Sequence, residues 1–274
     1  MVNFIQVSDF HFGSEFKDEY FDNVIQYIKD NRPDAVVCSG DIVHRGRFQQ
    51  YQNFLPYFER LKEVSPNFMV IPGNHDAKNN GLIFFEKFFG PRRSTMLLPE
   101  KNTIIVGVCS AKDDMSTGEI GDEQLDWLGR QFKDSTLENR IIAMHHHAIA
   151  VPYSGRKQTT LTDAGEMIEL AMYFKVDLVI MGHKHIPHAY VIGPTTFLYC
   201  GTSTSKKIRA DDSPSFNHII LEEGDLDYHL EVQMVNSITM EKSLLLERRE
   251  GRTKFVRPRR ARIEHLMKSS VWDD

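Results

Sequence analysis

Five short apolar runs in this sequence are each followed at once by side chains of the types that bind metal ions. The apolar runs are residues 3–7, 35–38, 68–71, 141–144 and 177–181. The segments that follow them are Asp9-Phe10-His11, Gly40-Asp41, Gly73-Asn74-His75-Asp76, His145-His146-His147 and Gly182-His183-Lys184-His185. Apolar runs of this length are typical of buried strands. Ligands of α/β sheets bind outside the carboxyl ends of strands, so the five segments are expected to meet at one edge.

Helical periodicity separates the first three apolar runs. Apolar residues recur at helical spacing over 16–28 and 48–61, and this order of strands and helices predicts parallel pairing with right-handed crossovers. Two more helices are expected, one with Asp122 as its N-cap and one over 164–174. The later β runs, which have no helices between them and are expected to be antiparallel strands, are 190–192, 196–200, 216–221 and 228–235. The expected fold class is α/β, with two packed mixed β-sheets, a β-sandwich, flanked by α-helices.

The last part of the chain follows a different pattern. We expect a domain of residues 1–235 and a C-terminal extension of residues 236–274. Within the extension, residues 240–249 are expected to form a helix, and Gly251 and Pro258 break the pattern that follows.

Charge is unevenly spread along the sequence. Residues 248–262 hold eight Lys and Arg side chains against Glu250 alone, a charge of +7. The whole chain carries −5, so the remainder carries −12, which suits a protein that holds cations. The basic segment is interpreted as a solvated tail or as a contact with a second subunit of a homodimer. Nucleic acid is the less favoured alternative for this segment.

The sequence shows no feature of membrane insertion or secretion. No apolar run approaches the roughly 18 residues of a membrane span, and the N-terminus does not have the pattern of a signal peptide. Cys38, Cys109 and Cys200 are odd in number and widely spaced, so a disulfide framework is not expected. Small core cysteines in a reducing compartment are the interpretation, and the expected location is cytoplasmic.

The residue types at the strand ends suit a pair of divalent metal ions. Two ions about 3.5–4 Å apart need a shared anionic bridge, and Asp41 is the candidate. Carboxylate, amide oxygen and imidazole together suit manganese, iron and zinc, and the absence of thiolates argues against a closed structural zinc site. Gly40, Gly73 and Gly182 are expected to allow the tight turns that bring these side chains to the ions. The candidate ligands are Asp9, His11, Asp41, Asn74, His145, His183 and His185.

These motifs resemble those of the calcineurin-like metallophosphoesterases. The resemblance rests on Asp9-x-His11, Gly40-Asp41, Gly73-Asn74-His75-Asp76, a histidine after the next strand, and Gly182-His183-x-His185. Residues 118–132 and 200–221 are similar to the class III cyclic-nucleotide phosphodiesterase-like branch. The resemblance implies a double β-sandwich with a bimetallic centre, for which manganese is the favoured metal.

The resemblance also implies a role for each residue. Asp9, His11 and His185 match the ligands of the first metal, and Asp41 matches the bridge. The ligands of the second metal are matched by Asn74, His145 and His183. His75 matches the histidine that contacts the substrate and protonates a leaving oxygen, and Asp76 is expected to orient it.

Two assignments stay open in the sequence. Side chains alternate along a strand, so His146 is expected to oppose His145 and His147; we choose His145 as the ligand, with His146 as the alternative. The protein-phosphatase branch has an aspartate where this chain has His44, which weakens a protein-phosphatase assignment. Arg45 is a candidate for binding a phosphate oxygen, and an exposed arginine without a role is the alternative.

The predicted reaction is hydrolysis of a phosphodiester, either a cyclic nucleotide or a small glycerophosphodiester, by water activated between the metal ions. Alternatives are a nuclease, which the basic segment motivates, and a phosphomonoesterase of the same superfamily. A scaffold without catalysis is less favoured, because such a protein is expected to have lost a ligand or His75.

Overall fold

The computed structural model describes residues 1–65, 67–152, 154, 160–208, 212–223, 228–249 and 252–255. The strands are β1 (Val2–Val7), β2 (Ala35–Cys38), β3 (Phe68–Val70), β4 (Ser94–Leu98), β5 (Thr103–Gly107), β6 (Asn139–Ala143), β7 (Leu178–Met181), β8 (His188–Ile192), β9 (Thr195–Tyr199), β10 (Ser215–Glu223), β11 (Tyr228–Asn236), β12 (Lys242–Arg249) and β13 (Arg252–Phe255). The α-helices are α1 (Asp18–Asn31), α2 (Phe48–Val64), α3 (Gly81–Phe89), α4 (Asp122–Asp134) and α5 (Ala164–Tyr173).

These strands form two mixed sheets. The first has the order β13-β12-β11-β10-β1-β2-β3, in which β1, β2 and β3 are parallel and β10 runs antiparallel to β1. The second has the order β4-β5-β6-β7-β9-β8, in which β5, β6, β7 and β9 are parallel. The carboxyl ends of β1, β2, β3, β6 and β7 therefore carry the five segments that the sequence singles out.

An apolar layer between the sheets holds them together. Phe4 and Val37 of the first sheet share a buried cluster with Ile141, Ile180 and Leu198 of the second. Separate apolar clusters form where α1 and α2 cover the first sheet and where α4 and α5 cover the second. The predicted α/β fold of two packed sheets flanked by helices is thus confirmed. None of the helices in the described ranges is long and apolar enough to cross a bilayer.

Two local predictions are wrong. Residues 240–249 were expected to be helical, but β12 occupies Lys242–Arg249 and pairs antiparallel with β11. Its run of leucines suits a helix or a strand by composition, and the exposed edge of β11 selects the strand. Asp122 is the first residue of α4, and Gly121 takes the N-cap position with φ 80°.

Candidate metal centre

The loops after β1, β2 and β7 hold their polar residues in an uncommon backbone conformation. Five of the seven candidate ligands have positive φ values, between 51° and 75°. They are Asp9, His11, Asp41, His183 and His185. This conformation costs a residue other than glycine about 1–3 kcal/mol and is concentrated at functional sites. The surrounding contacts must therefore hold these loops in place, and they bring the side chains to one point.

Asp9, His11 and His185 form the first cluster. Nε2 of His11 lies 2.8 Å from Nε2 of His185, and Oδ1 of Asp9 lies 3.6 and 3.2 Å from these two nitrogens. Oδ1 of Asp9 is buried without a hydrogen-bond partner among the described residues. Two imidazole nitrogens that face each other beside an orphaned carboxylate oxygen are suited to a cation placed between them.

Asp41, Asn74, His145 and His183 form the second cluster. Oδ1 of Asn74 lies 3.2 Å from Nε2 of His145 and 2.8 Å from Nδ1 of His183. Oδ2 of Asp41 lies 3.4 Å from Nε2 of His145 and 3.7 Å from Nε2 of His11. Asp41 is thus the carboxylate that faces both clusters, as a bridge between two ions requires.

Backbone carbonyl groups orient two of these imidazoles. Nδ1 of His145 donates to the carbonyl oxygen of Ser39 at 2.8 Å, and Nδ1 of His185 donates to that of Lys207 at 2.6 Å. A proton held on Nδ1 leaves the Nε2 lone pair directed at the cluster. Metal-binding histidines commonly have their second nitrogen fixed in this way.

Hydroxyl groups of residues 202–204 brace the loop that carries Asp9. Thr202 donates to the carbonyl oxygen of Asp9 at 2.6 Å, and Thr204 donates to that of Phe10 at 2.9 Å. Ser203 accepts the backbone N–H of Ser8 at 2.9 Å. The sequence singled out residues 200–221 only by their resemblance to one branch, and these contacts give the stretch a physical role.

Electrostatic interactions within the centre are strong. Burial opposes ionisation of Asp9, but His185 and His11 hold the pKa of this carboxyl well below its usual range. Burial alone would lower the pKa of His145, but the Asp41 carboxylate outweighs it and raises that pKa to about 9. Without a metal the cluster therefore retains a proton on His145, in a place where a cation is stabilised.

The three glycines act in two different ways. Gly40 has φ +97°, so it does form the tight turn that was expected. Gly73 and Gly182 are required for space instead. A Cβ at Gly73 would lie 2.2 Å from Oδ1 of Asp41, and one at Gly182 would lie 2.0 Å from Oγ of Ser8. Any side chain at these two positions would displace the loops of the centre.

Strand alternation does not describe the run of three histidines. Strand β6 ends at Ala143, before the run begins, and all three rings lie 4.7 to 5.2 Å from the ring of His183. Only His145 faces Asp41. His146 contacts Oγ of Ser110 through Nδ1 at 2.8 Å. The geometry thus favours His145, the first choice of the sequence, as the ligand.

His75 lies beside the candidate ligands. Its backbone N–H donates to Oδ1 of Asp41 at 2.7 Å, and its ring lies 4.5 Å from the ring of His11. Nδ1 of His75 donates to the carbonyl oxygen of His44 at 2.7 Å. The side chain is half-buried, whereas Asp41 and His11 are buried. His75 therefore lies at the rim of the centre, less buried than the candidate ligands beside it.

The prediction that Asp76 orients His75 is wrong. The Asp76 carboxylate is buried and accepts the backbone N–H groups of Ile42, Val43 and Gly73 at 2.9 to 3.1 Å. Burial and the charge of Asp41 raise the pKa of Asp76 to about 7, although these hydrogen bonds lower it. Asp76 ties together two ligand-bearing loops, and the carbonyl group of His44 orients His75.

The cations near the centre are only partly those that the sequence suggested. Arg45 is exposed, and its contacts in the described structure are those of its backbone with Gln50 and Asn79. Lys184 is buried. Lys78, which no sequence motif singled out, lies with its Nζ 3.0 Å from Nδ1 of His75. Its spacing of three residues from His75 could have shown it, because a helical turn brings such residues together.

A sequence model of the calcineurin-like phosphoesterase family matches residues 2–187, from β1 to the loop after β7. The chain belongs to the calcineurin-like phosphoesterase family. The resemblance noted in the sequence is thereby confirmed. This phosphoesterase belongs to a family of hydrolases that act on phosphoric ester bonds and hold a dinuclear metal centre.

Two curated relatives and one solved structure are similar to this phosphoesterase. The probable glycerophosphodiester phosphodiesterase GpdQ of Arcobacter nitrofigilis is 29% identical over 196 residues, 66% of this chain and 71% of that protein. The 3',5'-cyclic adenosine monophosphate phosphodiesterase CpdA of Escherichia coli K12 is 24% identical over 201 residues, 67% and 70% of the two chains. A dimetal phosphatase from Danio rerio has a TM-score of 0.67 at 12% identity, covering 89% and 98%, and thereby shares the fold.

Proposed function

We propose that this phosphoesterase hydrolyses phosphodiesters with two divalent metal ions, and that manganese activates it better than iron or zinc. One observation carries the proposal: Asp41 faces both ligand clusters, at 3.7 Å from His11 and 3.4 Å from His145. Carboxylate, amide and imidazole ligands without thiolates suit these metals.

The assignment of ligands follows the two clusters. Asp9, His11 and His185 would hold the first ion and Asn74, His145 and His183 the second, with Asp41 shared. Bound there, the two cations would lower the pKa of a water molecule towards neutrality and offset negative charge on the phosphoryl oxygens.

The protein's own residues supply the other parts of the reaction. The phosphoryl group would lie between the clusters and the rim residue His75. His75 keeps Nδ1–H on the His44 carbonyl group, so in its imidazolium form Nε2–H is the group that donates a proton to the leaving oxygen. The hydrogen bond from the backbone N–H of His75 to Asp41 fixes the distance between this acid and the metal ligands.

The substrate class is supported by the relatives. The two curated relatives are named for a glycerophosphodiester and for a cyclic nucleotide, both of which are phosphodiesters. We propose that the substrate is a small molecule of this kind. Arg45 stays a candidate for binding a phosphate oxygen, since it follows His44 at the exposed end of the loop after β2.

The proposal is tested by metal analysis together with turnover. Purified protein is loaded with manganese, iron or zinc, and rates are measured on bis(p-nitrophenyl) phosphate and p-nitrophenyl phosphate. The expected result is two metals per chain, turnover of the diester, and the highest rate with manganese. Two bound metals without turnover of either ester would support the scaffold alternative. Asp22→Asn, which changes a surface aspartate that pairs with Arg60, is expected to bind metal and turn over the diester as the wild type does.

The nuclease alternative depends on the basic segment 248–262. Arg248, its first residue, donates to the carbonyl oxygens of Pro194 and Gly193 and lies over the ring of Tyr228. The Arg248 guanidinium group is thus bound by other residues of the fold. This favours packing of the basic segment on the protein over nucleic-acid binding. Residues 250, 251 and 256–262 lie outside the described residues, and a homodimer contact of the basic segment stays a prediction. A cytoplasmic location also stays a prediction, to which the three free, buried cysteines are suited.

A further inference from the structure

Lys78 places an ammonium group against His75 at the rim of the metal centre. Its Nζ lies 3.0 Å from Nδ1 and 3.1 Å from Nε2 of His75. The backbone N–H of His75 in turn donates to Asp41, and the ring of His75 lies 4.5 Å from that of His11. One imidazole ring therefore separates the Lys78 cation from the candidate metal ligands.

The Lys78 ammonium group has N–H donors that no described residue accepts. In the part of the chain that the structure describes, Lys78 forms no ion pair, and its Nζ contacts only His75. Lys207, a second lysine near the centre, differs because Glu15 lies 3.8 Å from its Nζ. An ammonium group has three N–H donors, whereas His75 has one acceptor nitrogen, Nε2, in its neutral form and none in its imidazolium form. At least two donors of Lys78 thus remain for an anion.

The backbone around Lys78 is held in place. A Cβ at Gly46 would lie 2.1 Å from the carbonyl oxygen of Lys78, so the two segments are in close contact. The next residue, Asn79, donates its side-chain amide to the carbonyl oxygen of Arg45 at 2.9 Å and its N–H to Asp114 at 2.8 Å. These contacts maintain a φ of 55° at Asn79. The start of the lysine side chain is therefore preorganised.

Asp41, in the loop after β2, attracts the charge of Lys78 from a distance, but Nζ of Lys78 forms no ion pair with that loop in the described residues. His44, also in this loop, has its ring 5.1 Å from that of His75. Nδ1 of His44 is buried without a hydrogen-bond partner in the described structure. A neutral imidazole at this position leaves the charge of Lys78 for another anion.

Building on the proposed phosphodiesterase function, we propose that Lys78 binds a second anionic group, carried by the leaving-group half of the substrate. His75 is assigned to the leaving oxygen, and Nζ of Lys78 adjoins both ring nitrogens of His75. An anionic substituent a few bonds from that oxygen would therefore reach Nζ. The substrate class is a phosphodiester whose leaving alcohol bears a carboxylate or a further phosphate.

The experiment compares two diesters that differ by one charge. The probes are methyl 4-(carboxymethyl)phenyl phosphate and its neutral partner, methyl 4-(carbamoylmethyl)phenyl phosphate, whose leaving phenols have similar reactivity. The wild-type protein with metals bound is expected to favour the anionic probe in kcat/KM by about tenfold to a hundredfold, the range for hydrogen bonds to charged groups. In Lys78→Met this ratio should fall to near one, and Lys78→Arg should retain most of it. Lys133→Gln, an exposed lysine on α4, is the matched control and should keep the full ratio.

A second measurement does not depend on turnover. The leaving alcohol 4-hydroxyphenylacetate and its neutral amide are titrated into the metal-loaded protein by calorimetry. The acid should bind more tightly than the amide, and Lys78→Met should remove the difference. If Lys78→Met does not fold, by circular dichroism, Lys78→Gln takes its place.

Three results would overturn the inference. The first is a wild-type ratio near one, and the second is a ratio that Lys78→Met leaves intact. The third is an equal loss on both diesters and on a monoester, which would place Lys78 on the phosphoryl group itself. If neither diester is hydrolysed although two metals are bound, the phosphodiesterase function fails, and the calorimetric comparison still decides whether the anion site exists.

Discussion

The backbone N–H of His75 donates a hydrogen bond of 2.7 Å to Oδ1 of Asp41. The other oxygen of that carboxylate faces His11 and His145 at 3.7 and 3.4 Å. One side chain thus joins the two ligand clusters and also fixes the loop that carries the proposed acid. An amide oxygen could still accept the N–H of His75, so a change at Asp41 should affect metal binding more than folding.

We therefore expect Asp41→Asn to fold and to bind at most one metal ion tightly. Loss of the shared negative charge leaves the repulsion between two divalent ions uncompensated. Because metal ions contribute several kcal/mol to catalysis, diester hydrolysis should fall by more than about a hundredfold. Metal content by plasma mass spectrometry and thermal unfolding check both parts. Two tightly bound metals and a normal rate in this variant would show that Asp41 is not the bridge.

His75→Ala should bind both metals normally and lose rate on esters with poor leaving groups. General acid catalysis typically contributes about a hundred- to ten-thousandfold, and an alkyl leaving group depends on it more than p-nitrophenolate does. Rates on a series of leaving groups of increasing pKa would measure this, with metal content determined in the same samples. A loss of metal would instead place His75 among the ligands.

Asp76→Asn should lower the free energy of unfolding. It should not produce the larger rate loss on esters with poor leaving groups that is expected for His75→Ala. The carboxylate accepts three backbone N–H groups from two loops, and an amide has only one acceptor oxygen. A buried donor left without a partner costs about 1–3 kcal/mol, so the free energy of unfolding should fall by that amount. Urea unfolding of the metal-loaded protein checks this, with Asp22→Asn as control. If the rate of Asp76→Asn depended on the leaving group as that of His75→Ala does, Asp76 would orient His75 after all.

That the candidate ligands lie close together could be predicted from the sequence, because each of them follows a recognisable buried strand. Asp9, Asp41 and Asn74 lie within two to four residues of strand ends, and parallel pairing alone brings such positions together. What could not be predicted depends on contacts between distant segments. Lys78 and Asp76 are close to His75 in sequence, but their partners are set by the loop after β2.

The error at β12 has a similar origin. The run of Leu244, Leu245 and Leu246 fits a helix or a strand when read locally. The edge of β11 decides between them, and β11 is itself far from β1 in sequence although one strand separates them in the sheet. The periodicity of one segment does not show whether a strand elsewhere in the chain has an unpaired edge.

The metal-free protein should lose stability as pH rises through about 9. Burial lowers the pKa of His145, but Asp41 outweighs it and raises that pKa from 6.5 to about 9. A raised histidine pKa contributes stability that is fully present below pH 6.5 and declines as pH rises through the folded-state value. A shift of this size corresponds to about 3 kcal/mol. Unfolding in the presence of a chelator between pH 6 and 10 measures it. The same decline in His145→Gln would assign it to another group.

The last prediction concerns the class of ester. We expect a higher kcat/KM for methyl p-nitrophenyl phosphate than for p-nitrophenyl phosphate, at saturating manganese. A phosphodiester carries one negative charge and a monoester nearly two at neutral pH, so a monoester site needs more cations beside the metals. Of the cations close to the candidate ligands in sequence, Arg45 is exposed and is the one candidate for a phosphate oxygen, whereas Lys184 is buried.

Lys78 is the one added cation that the described structure places against His75, on the side assigned to the leaving group. The position of Lys78 favours a substrate with a negative charge on the leaving alcohol over one with a second negative charge on the phosphoryl group. The two esters share one leaving group, so a difference in kcat/KM reports on the phosphoryl group and its substituent alone. A clear preference for the monoester would exclude the phosphodiesterase function and leave the two metal-ligand clusters unaffected.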